Sequence, residues 1–205
     1  MRGKFIVIEG GEGSGKDTQI ALLKKHFGEE KFLFTREPGG TPIGEQIRSV
    51  LLSKESPAVD ERAELLLFLA ARAELAGKVI APALASGKHV ISNRFGLSTI
   101  AYQVYGRKHP EYLPLIMEFN TLVLAHCKPD AYVLFDLPPQ AGLERVRRRL
   151  DKITRFDAEE LAFHERVRDG YLRHVGDIGT HFVIDASSPV EAVWQDVLAA
   201  VQSLL

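Results

Sequence analysis

The stretch Phe5-Ile6-Val7-Ile8-Glu9-Gly10-Gly11-Glu12-Gly13-Ser14-Gly15-Lys16-Asp17-Thr18 decides the fold. An apolar run enters it and a helical pattern reaching about Phe27 leaves it. Gly10, four intervening residues, Gly15 and Lys16 form the phosphate-loop signature up to its last position. Backbone N–H groups must turn inward around phosphate oxygens there, which needs dihedrals and clearance that glycine supplies. Lys16 adds a point charge, and the following helix presents its positive end to the same anion. A Gly-rich turn with a surface lysine would also give this string, but the strand before it and the helix after it are the context that the motif demands. Gly10 through Thr18 is therefore the candidate nucleotide-phosphate site. The signature's last position, where a Ser or Thr hydroxyl meets Mg²⁺, is Asp17, with Thr18 next.

At 205 residues and 45% hydrophobic content, the chain suits one globular domain with a full core. A formal net charge of −1 argues against a broad basic face for duplex nucleic acid, so anion recognition has to be local and points to small phosphorylated ligands. Cys127 is the single cysteine, which excludes a disulfide framework and suits a reducing compartment. The seven histidines lack paired ligand spacing, against a zinc site. No apolar stretch approaches the ~20 residues that span a bilayer, and the N-terminus runs into a core strand without a signal-peptide pattern. These features predict a cytoplasmic protein.

Apolar runs predict strands over 4–9, 31–35, 89–92, 131–136 and 181–185. Helical patterns fall over 16–27, 42–52, 60–86, 97–105, 110–126, 138–150, 157–175 and 189–204. Strands alternating with helices imply an α/β fold, a three-layer arrangement like that of phosphate-loop NTPases, with a five-stranded parallel sheet covered on both faces. Thr41-Pro42 and Ser188-Pro189 read as caps before a proline at the first helical position. Ser188 with Glu191 reads as a capping box, and Asp157 with Glu160 looks similar. Val190, Val193, Trp194, Val197, Leu198, Val201 and Leu204 form a core stripe at helical spacing.

Ligands of parallel sheets collect at the carboxyl ends of the strands. There the chain places Thr35-Arg36-Glu37-Pro38-Gly39-Gly40-Thr41, then Asn93-Arg94-Phe95, then Asp136-Leu137-Pro138. The first two set arginines beside the phosphate loop, and the planar guanidinium fork suits phosphate oxygens.

With these segments in view, nearly the whole chain resembles the thymidylate kinases, which phosphorylate dTMP to dTDP with ATP. The motifs that carry the resemblance are Glu9 to Lys16, Thr35 to Thr41, Leu67-Phe-Leu-Ala-Ala-Arg72, Arg94-Phe-Gly-Leu-Ser-Thr-Ile-Ala-Tyr-Gln103 and Asp185-Ala-Ser-Ser-Pro189. The resemblance implies one nucleoside-monophosphate kinase domain over 1–205, with the phosphate loop at 10–17, a substrate segment at about 36–103 and a lid at about 145–156. It implies that Glu12 faces the deoxyribose 3′-hydroxyl, Phe68 stacks on thymine and Arg72 bonds the base carbonyl. By periodicity alone Phe68 would be a core residue; the i,i+4 spacing to Arg72 lets both meet one base. Ser98, Thr99 and Gln103 resemble the family's polar contacts to the base, and Tyr102 the ring that walls off a 2′-hydroxyl. Arg36, Arg48 and Arg94 resemble a clamp on the dTMP phosphate, with Glu37 alongside; Arg48 also reads as a surface residue. ATP and Mg²⁺ are the implied cofactors, and homodimerisation through an unidentified helical face is implied as well.

Gly13 stands where some thymidylate kinases carry a loop arginine, and bacterial-type members supply that charge from the lid. The run Arg145, Arg147, Arg148, Arg149 and then Arg155 reads by itself as a solvated helix face. The resemblance makes Arg149 and Arg155 the expected catalytic cations beside Lys16 and Arg94, with Arg147 and Arg148 as competitors. Two positions depart from the family: Asp17, and Asn93 where an aspartate precedes the arginine. Asp17 is the expected Mg²⁺ contact, directly or through water; Thr18 is the other candidate. Competing readings are another nucleoside-monophosphate kinase, or a nucleotide binder with impaired turnover.

Overall fold

The computed structural model of the chain describes residues 2–53, 55–148 and 154–205. Five strands form one parallel sheet: β1 Phe5–Gly10, β2 Phe32–Arg36, β3 His89–Asn93, β4 Ala131–Asp136 and β5 His181–Asp185. Their order is β2-β3-β1-β4-β5. The chain thus builds out to one side of β1 first and to the other afterwards. The cleft at the carboxyl end of β1 therefore receives residues from both halves.

β1 is buried at every position, and its alternation explains the two faces. Phe5 and Val7 pack with Phe95, Tyr102, Phe163 and Tyr171. Ile6 and Ile8 pack with Leu23, Val193, Val197 and Val201. Glu9 is in phase with Phe5 and Val7, so the period-2 pleat carries its carboxylate to the first face.

On the second face lie α1 (Lys16–Phe27) and α9 (Val190–Gln202). Opposite come α2 (Pro42–Leu52), α3 (Glu61–Leu75), α4 (Ala81–Ala85) and α5 (Gly96–Thr99). They are followed by α6 (Tyr112–Val123), α7 (Pro139–Arg148) and α8 (Leu161–His174). The five expected strands are present within a residue or so of their predicted bounds.

The single helix expected over 60–86 is divided. α3 widens into a π-helical segment, Ala76–Ile80, before α4. Pro82 explains the change: it lacks an N–H, and its ring would meet the Lys78 carbonyl in an ordinary α-turn. The helix expected over 97–105 is α5 followed by a second π segment, Ile100–Gly106, which carries Tyr102 and Gln103. Helix 110–126 shortens to α6, and 157–175 becomes a 3₁₀ turn, Phe156–Ala158, ahead of α8.

Thr41 caps α2 as expected, its hydroxyl accepting from Gly44 N at 2.9 Å. The two other expected boxes do not form, for one reason: Pro189 caps α9 and Glu160 caps α8, so Ser188 and Asp157 stand ahead of the cap position. Near α9, Asp185 accepts from the Ser187 N–H, the Ser187 hydroxyl and the Ser188 hydroxyl. Asp157 is likewise taken by the Thr154 N–H and hydroxyl. Both residues serve local side-chain bonds instead. In α9 the buried stripe is Val193, Val197, Ala200 and Val201, while Val190 is 48% exposed. Among the described residues, no helix is long and apolar enough to cross a membrane.

Candidate active site

The phosphate loop is shaped by three left-handed glycines, Gly10, Gly13 and Gly15. Gly13 also meets the start of α7 backbone to backbone: a Cβ there would sit 2.1 Å from the Gly142 carbonyl oxygen. Inside the loop, the Lys16 ammonium donates to Gly10 O at 2.8 Å, Gly11 O at 2.7 Å and Ser14 Oγ at 3.1 Å. Burial pulls its pKa down to about 7, and Arg94 nearby adds to the effect.

Two clefts meet at this loop. The larger, about 1260 Å³, is lined by Glu12 to Asp17, Arg36, Glu37, Arg48, Asn93 and Arg94. The smaller, about 590 Å³, contains Phe68, Arg72, Phe95, Ser98, Thr99, Tyr102 and Gln103. Glu12, Glu37, Arg48, Arg94 and Thr154 line both. The structure thus brings the ring-and-guanidinium pair of α3 to the same cavity system as the phosphate loop, and sets Arg48 at the junction.

Arg94 sits in the left-handed region at φ 70°, which turns its side chain back over the end of β1. Its guanidinium donates to Glu12 at 2.7 Å, Tyr171 at 2.7 Å, Tyr102 at 3.1 Å and Ser98 at 3.2 Å. Tyr102 also donates to Glu12 at 2.7 Å. Burial alone would raise the Glu12 carboxyl, but Arg94, then Lys16 and the Tyr102 hydroxyl, outweigh it and hold the group at about 2. Glu9 supports the set from below, accepting from Phe95 N, Ser98 N and Ser98 Oγ.

Arg72 is 1% exposed. Its Nε lies 2.9 and 3.2 Å from the two Glu37 oxygens, and its other nitrogens donate to Thr99 at 2.6 Å and Asn120 at 3.2 Å. Burial pushes the Glu37 carboxyl up to about 7, with Arg72 pulling the other way. A guanidinium in this surrounding is no solvated cation; its plane is fixed at the cavity wall.

The remaining predicted residues are placed as follows. Arg36 lines the larger cleft and pairs with both oxygens of Glu45. Arg48 donates to Pro38 O. Gln103 donates to Glu64 at 3.0 Å. Arg155 also pairs with Glu64 and is not among the residues lining the larger cleft. Arg149 lies outside the described residues. Arg147 and Arg148 are exposed at the end of α7. Thr18 faces a third cleft with Gly13, Ser14, Arg145 and the 186–190 turn.

Asp17 and Asn93 touch: Asn93 Nδ2 donates to Asp17 Oδ1 at 2.6 Å, and Asn93 Oδ1 is buried without a partner. Among the described residues, no group of three or more acidic, His or Cys side chains forms a metal cage. Mg²⁺ does not need one, since it is commonly held by one or two carboxylates plus substrate phosphates. An exposed Asp17 carboxylate in the first turn of α1 fits that pattern.

Sequence reasoning gave no role to Tyr171 or Asn120, took Thr154 and Phe156 only as part of the lid, and took Glu9 only as the first residue of a motif. Glu9 carried a signal, a carboxylate in phase with the buried face of a core strand. Tyr171 carried none, because an aromatic on an amphipathic helix reads as core.

The chain matches the thymidylate kinase family over residues 8–197. It is 45% identical to the thymidylate kinase of Carboxydothermus hydrogenoformans over 197 residues, covering 95% of each chain. It is 44% identical to that of Trichlorobacter lovleyi, covering 98% of each. The crystal structure of thymidylate kinase from Ehrlichia chaffeensis superposes with a TM-score of 0.77 at 33% identity, over 98% of this chain and 99% of that one. Matches of this extent reach well past the phosphate loop, through the cleft of Phe68 and Arg72 to the final turn, and they place the chain in the thymidylate kinase family.

Proposed function

We infer that the joined clefts hold the two substrates of the family's reaction, in which the γ-phosphoryl group of ATP passes to dTMP to give dTDP and ADP. The chain carries out that reaction as a kinase. The observation that carries the assignment of sites is the shared boundary: the pocket of Phe68 and Arg72 opens onto Glu12 and Arg94, which also border the phosphate loop.

In this reading thymine lies against Phe68 with its carbonyl at Arg72, and the sugar lies against Tyr102 with its 3′-hydroxyl toward Glu12. Ser98, Thr99 and Gln103 shape the base end. Arg36, Arg48 and Arg94 hold the acceptor phosphate, and Glu37 keeps Arg72 in plane. The donor base occupies the third cleft beside Arg145 and the 186–190 turn, on the far side of the loop from the acceptor. Phosphoryl transfer asks mainly for alignment and for cations around spreading negative charge. Lys16 and Arg94 supply two, and the arginine-rich turn, with Arg149 foremost, supplies another. No nucleophilic side chain is required, because the dTMP phosphate attacks directly.

Bound Mg²⁺ would neutralise donor-phosphate charge, and Asp17 is the residue placed to hold it, directly or through water. The 2.6 Å Asn93–Asp17 contact supports an exchange of places, in which the carboxylate has moved from the strand end to the helix start. Asp17→Thr, Asn93→Asp and the double variant test this. Magnesium titrations of ATP binding should show mutual rescue in the double variant, and strictly additive losses would refute the exchange.

A coupled ADP-release assay over a panel of nucleoside monophosphates, with and without Mg²⁺, tests the whole assignment; the expected result is Mg²⁺-dependent turnover with dTMP foremost. The same reading makes the chain one domain, with the lid at 145–156, working in the cytoplasm. It also makes the chain a homodimer. α3 and α6 pack together and leave Leu66, Leu115, Met117 and Leu122 exposed, which supports that face. Sedimentation of Leu122→Glu should shift toward monomer.

A further inference from the structure

The Arg72 guanidinium has five N–H donors and no acceptor, so every polar group around it has to offer an oxygen. Its Nε–H faces Glu37, Nη2 donates to Thr99 at 2.6 Å, and Nη1 donates to Asn120 Oδ1 at 3.2 Å. Its carbon lies 5.3 Å from the centre of the Phe95 ring. One N–H is left on each terminal nitrogen, and among the described residues neither of these meets an acceptor.

The three partners differ in where they stand. Glu37, on the loop after β2, and Thr99, on α5, line the pocket themselves, so a bound nucleotide can press on them. Asn120 does not line it; it reaches the guanidinium from α6, behind the pocket wall. On α6 Asn120 follows the fully buried Ile116 by four positions, which keeps it on the inward face of that helix. Because a guanidinium only donates, the amide has to turn its oxygen to Arg72. Its nitrogen then lies toward Gly96 at the start of α5, where a Cβ would stand 3.3 Å from Asn120 Nδ2. The missing side chain at position 96 gives the amide its room.

We propose, on the reading above in which thymine lies against Phe68 with a carbonyl at Arg72, that Asn120 is a positioning residue for recognition of the acceptor base: it holds Arg72 from behind, so that the two remaining N–H groups keep one orientation. Asn120 touches neither substrate. A fixed pair of donors takes a carbonyl and meets an amine donor against donor, so the edge by which thymine and cytosine differ is read as firmly as the guanidinium is held. With Nη1 released, the guanidinium can swing about its Glu37 and Thr99 contacts. That weakens the contact to a carbonyl and relieves the clash with an amine.

The test measures dissociation constants by calorimetry for dTMP and for 5-methyl-dCMP, which carries an amine in place of the 4-oxygen and lacks the N3 proton. The parent, Asn120→Leu and Gly96→Ala are compared, with KM for ATP and melting temperatures alongside; contacts to the rest of the base cancel in the ratio of the two constants. In Asn120→Leu dTMP should bind about tenfold more weakly, the scale of one hydrogen bond to a charged group, while 5-methyl-dCMP is not weakened. The KM for ATP should change less than about twofold, since the donor site is distant. Gly96→Ala crowds the amide by one methyl group and should lower the preference for dTMP by about two- to threefold. Equal weakening of both nucleotides, or an unchanged preference in Asn120→Leu, would overturn the proposal. Should Asn120→Leu fail to fold, Gly96→Ala decides alone, an unchanged preference there refuting it. A parent enzyme that binds the two nucleotides alike would instead fault the base reading of the pocket, and the role of Asn120 with it.

Discussion

The phosphate loop and the pocket of Phe68 and Arg72 share a wall but are made differently. The loop is one continuous segment whose groups are mostly main chain, and its demands are for missing atoms: three positive-φ glycines and a Gly13 that abuts Gly142. The pocket is assembled from side chains on α2, α3, the Ile100–Gly106 segment and the 154–156 stretch, held by buried ion pairs. A main-chain site is intolerant of added atoms and depends on distant residues only where a neighbouring backbone must fit, as Gly142 does here. A side-chain site is the reverse, since each wall is propped by a partner elsewhere.

Four measurements break or sharpen that contrast. Arg72→Met strands Glu37 in the core, and breaking such a buried pair costs about 3–5 kcal/mol, so chemical denaturation should reveal a marked stability loss on top of lost dTMP binding. Lys16→Met should leave stability nearly intact yet lower kcat on the order of 10³, or about 4 kcal/mol, in steady-state assays. Stacking of a base on an aromatic is worth about 1–3 kcal/mol, so Phe68→Ala should raise the KM for dTMP roughly fivefold to 150-fold while the KM for ATP holds. The smallest effect is a proton. With its pKa held down to about 7 by burial, Lys16 is largely uncharged at pH 8, and phosphate oxygens restore its charge. ATP binding at pH 8 should therefore take up protons, visible as a dependence of the calorimetric heat on buffer ionisation enthalpy, and Lys16→Met should abolish it.

The same contrast governs what could be read from the sequence. Strands and the phosphate loop announce themselves in short windows, because period-2 burial and glycine spacing are local. Phe68 and Arg72 were reachable through their four-residue spacing and the family resemblance. Tyr171 was not, because its hydroxyl meets Ser98, 73 positions away, and Arg94, 77 away. The helix starts at Ser188 and Asp157 misled because the motif was intact while the helices begin later, at Val190 and Leu161. The break before Pro82 was legible in principle from the proline itself.

The contact between Gly13 and Gly142 carries one more consequence. Its two backbones are so close that neither position has room for a side chain while α7 keeps its seat, since a Cβ on Gly142 would lie 2.3 Å from the Glu12 carbonyl oxygen. Position 13 is thus closed to a long cationic residue for as long as α7 keeps its seat. Transplanting an arginine into the loop of this chain would require re-seating a whole helix.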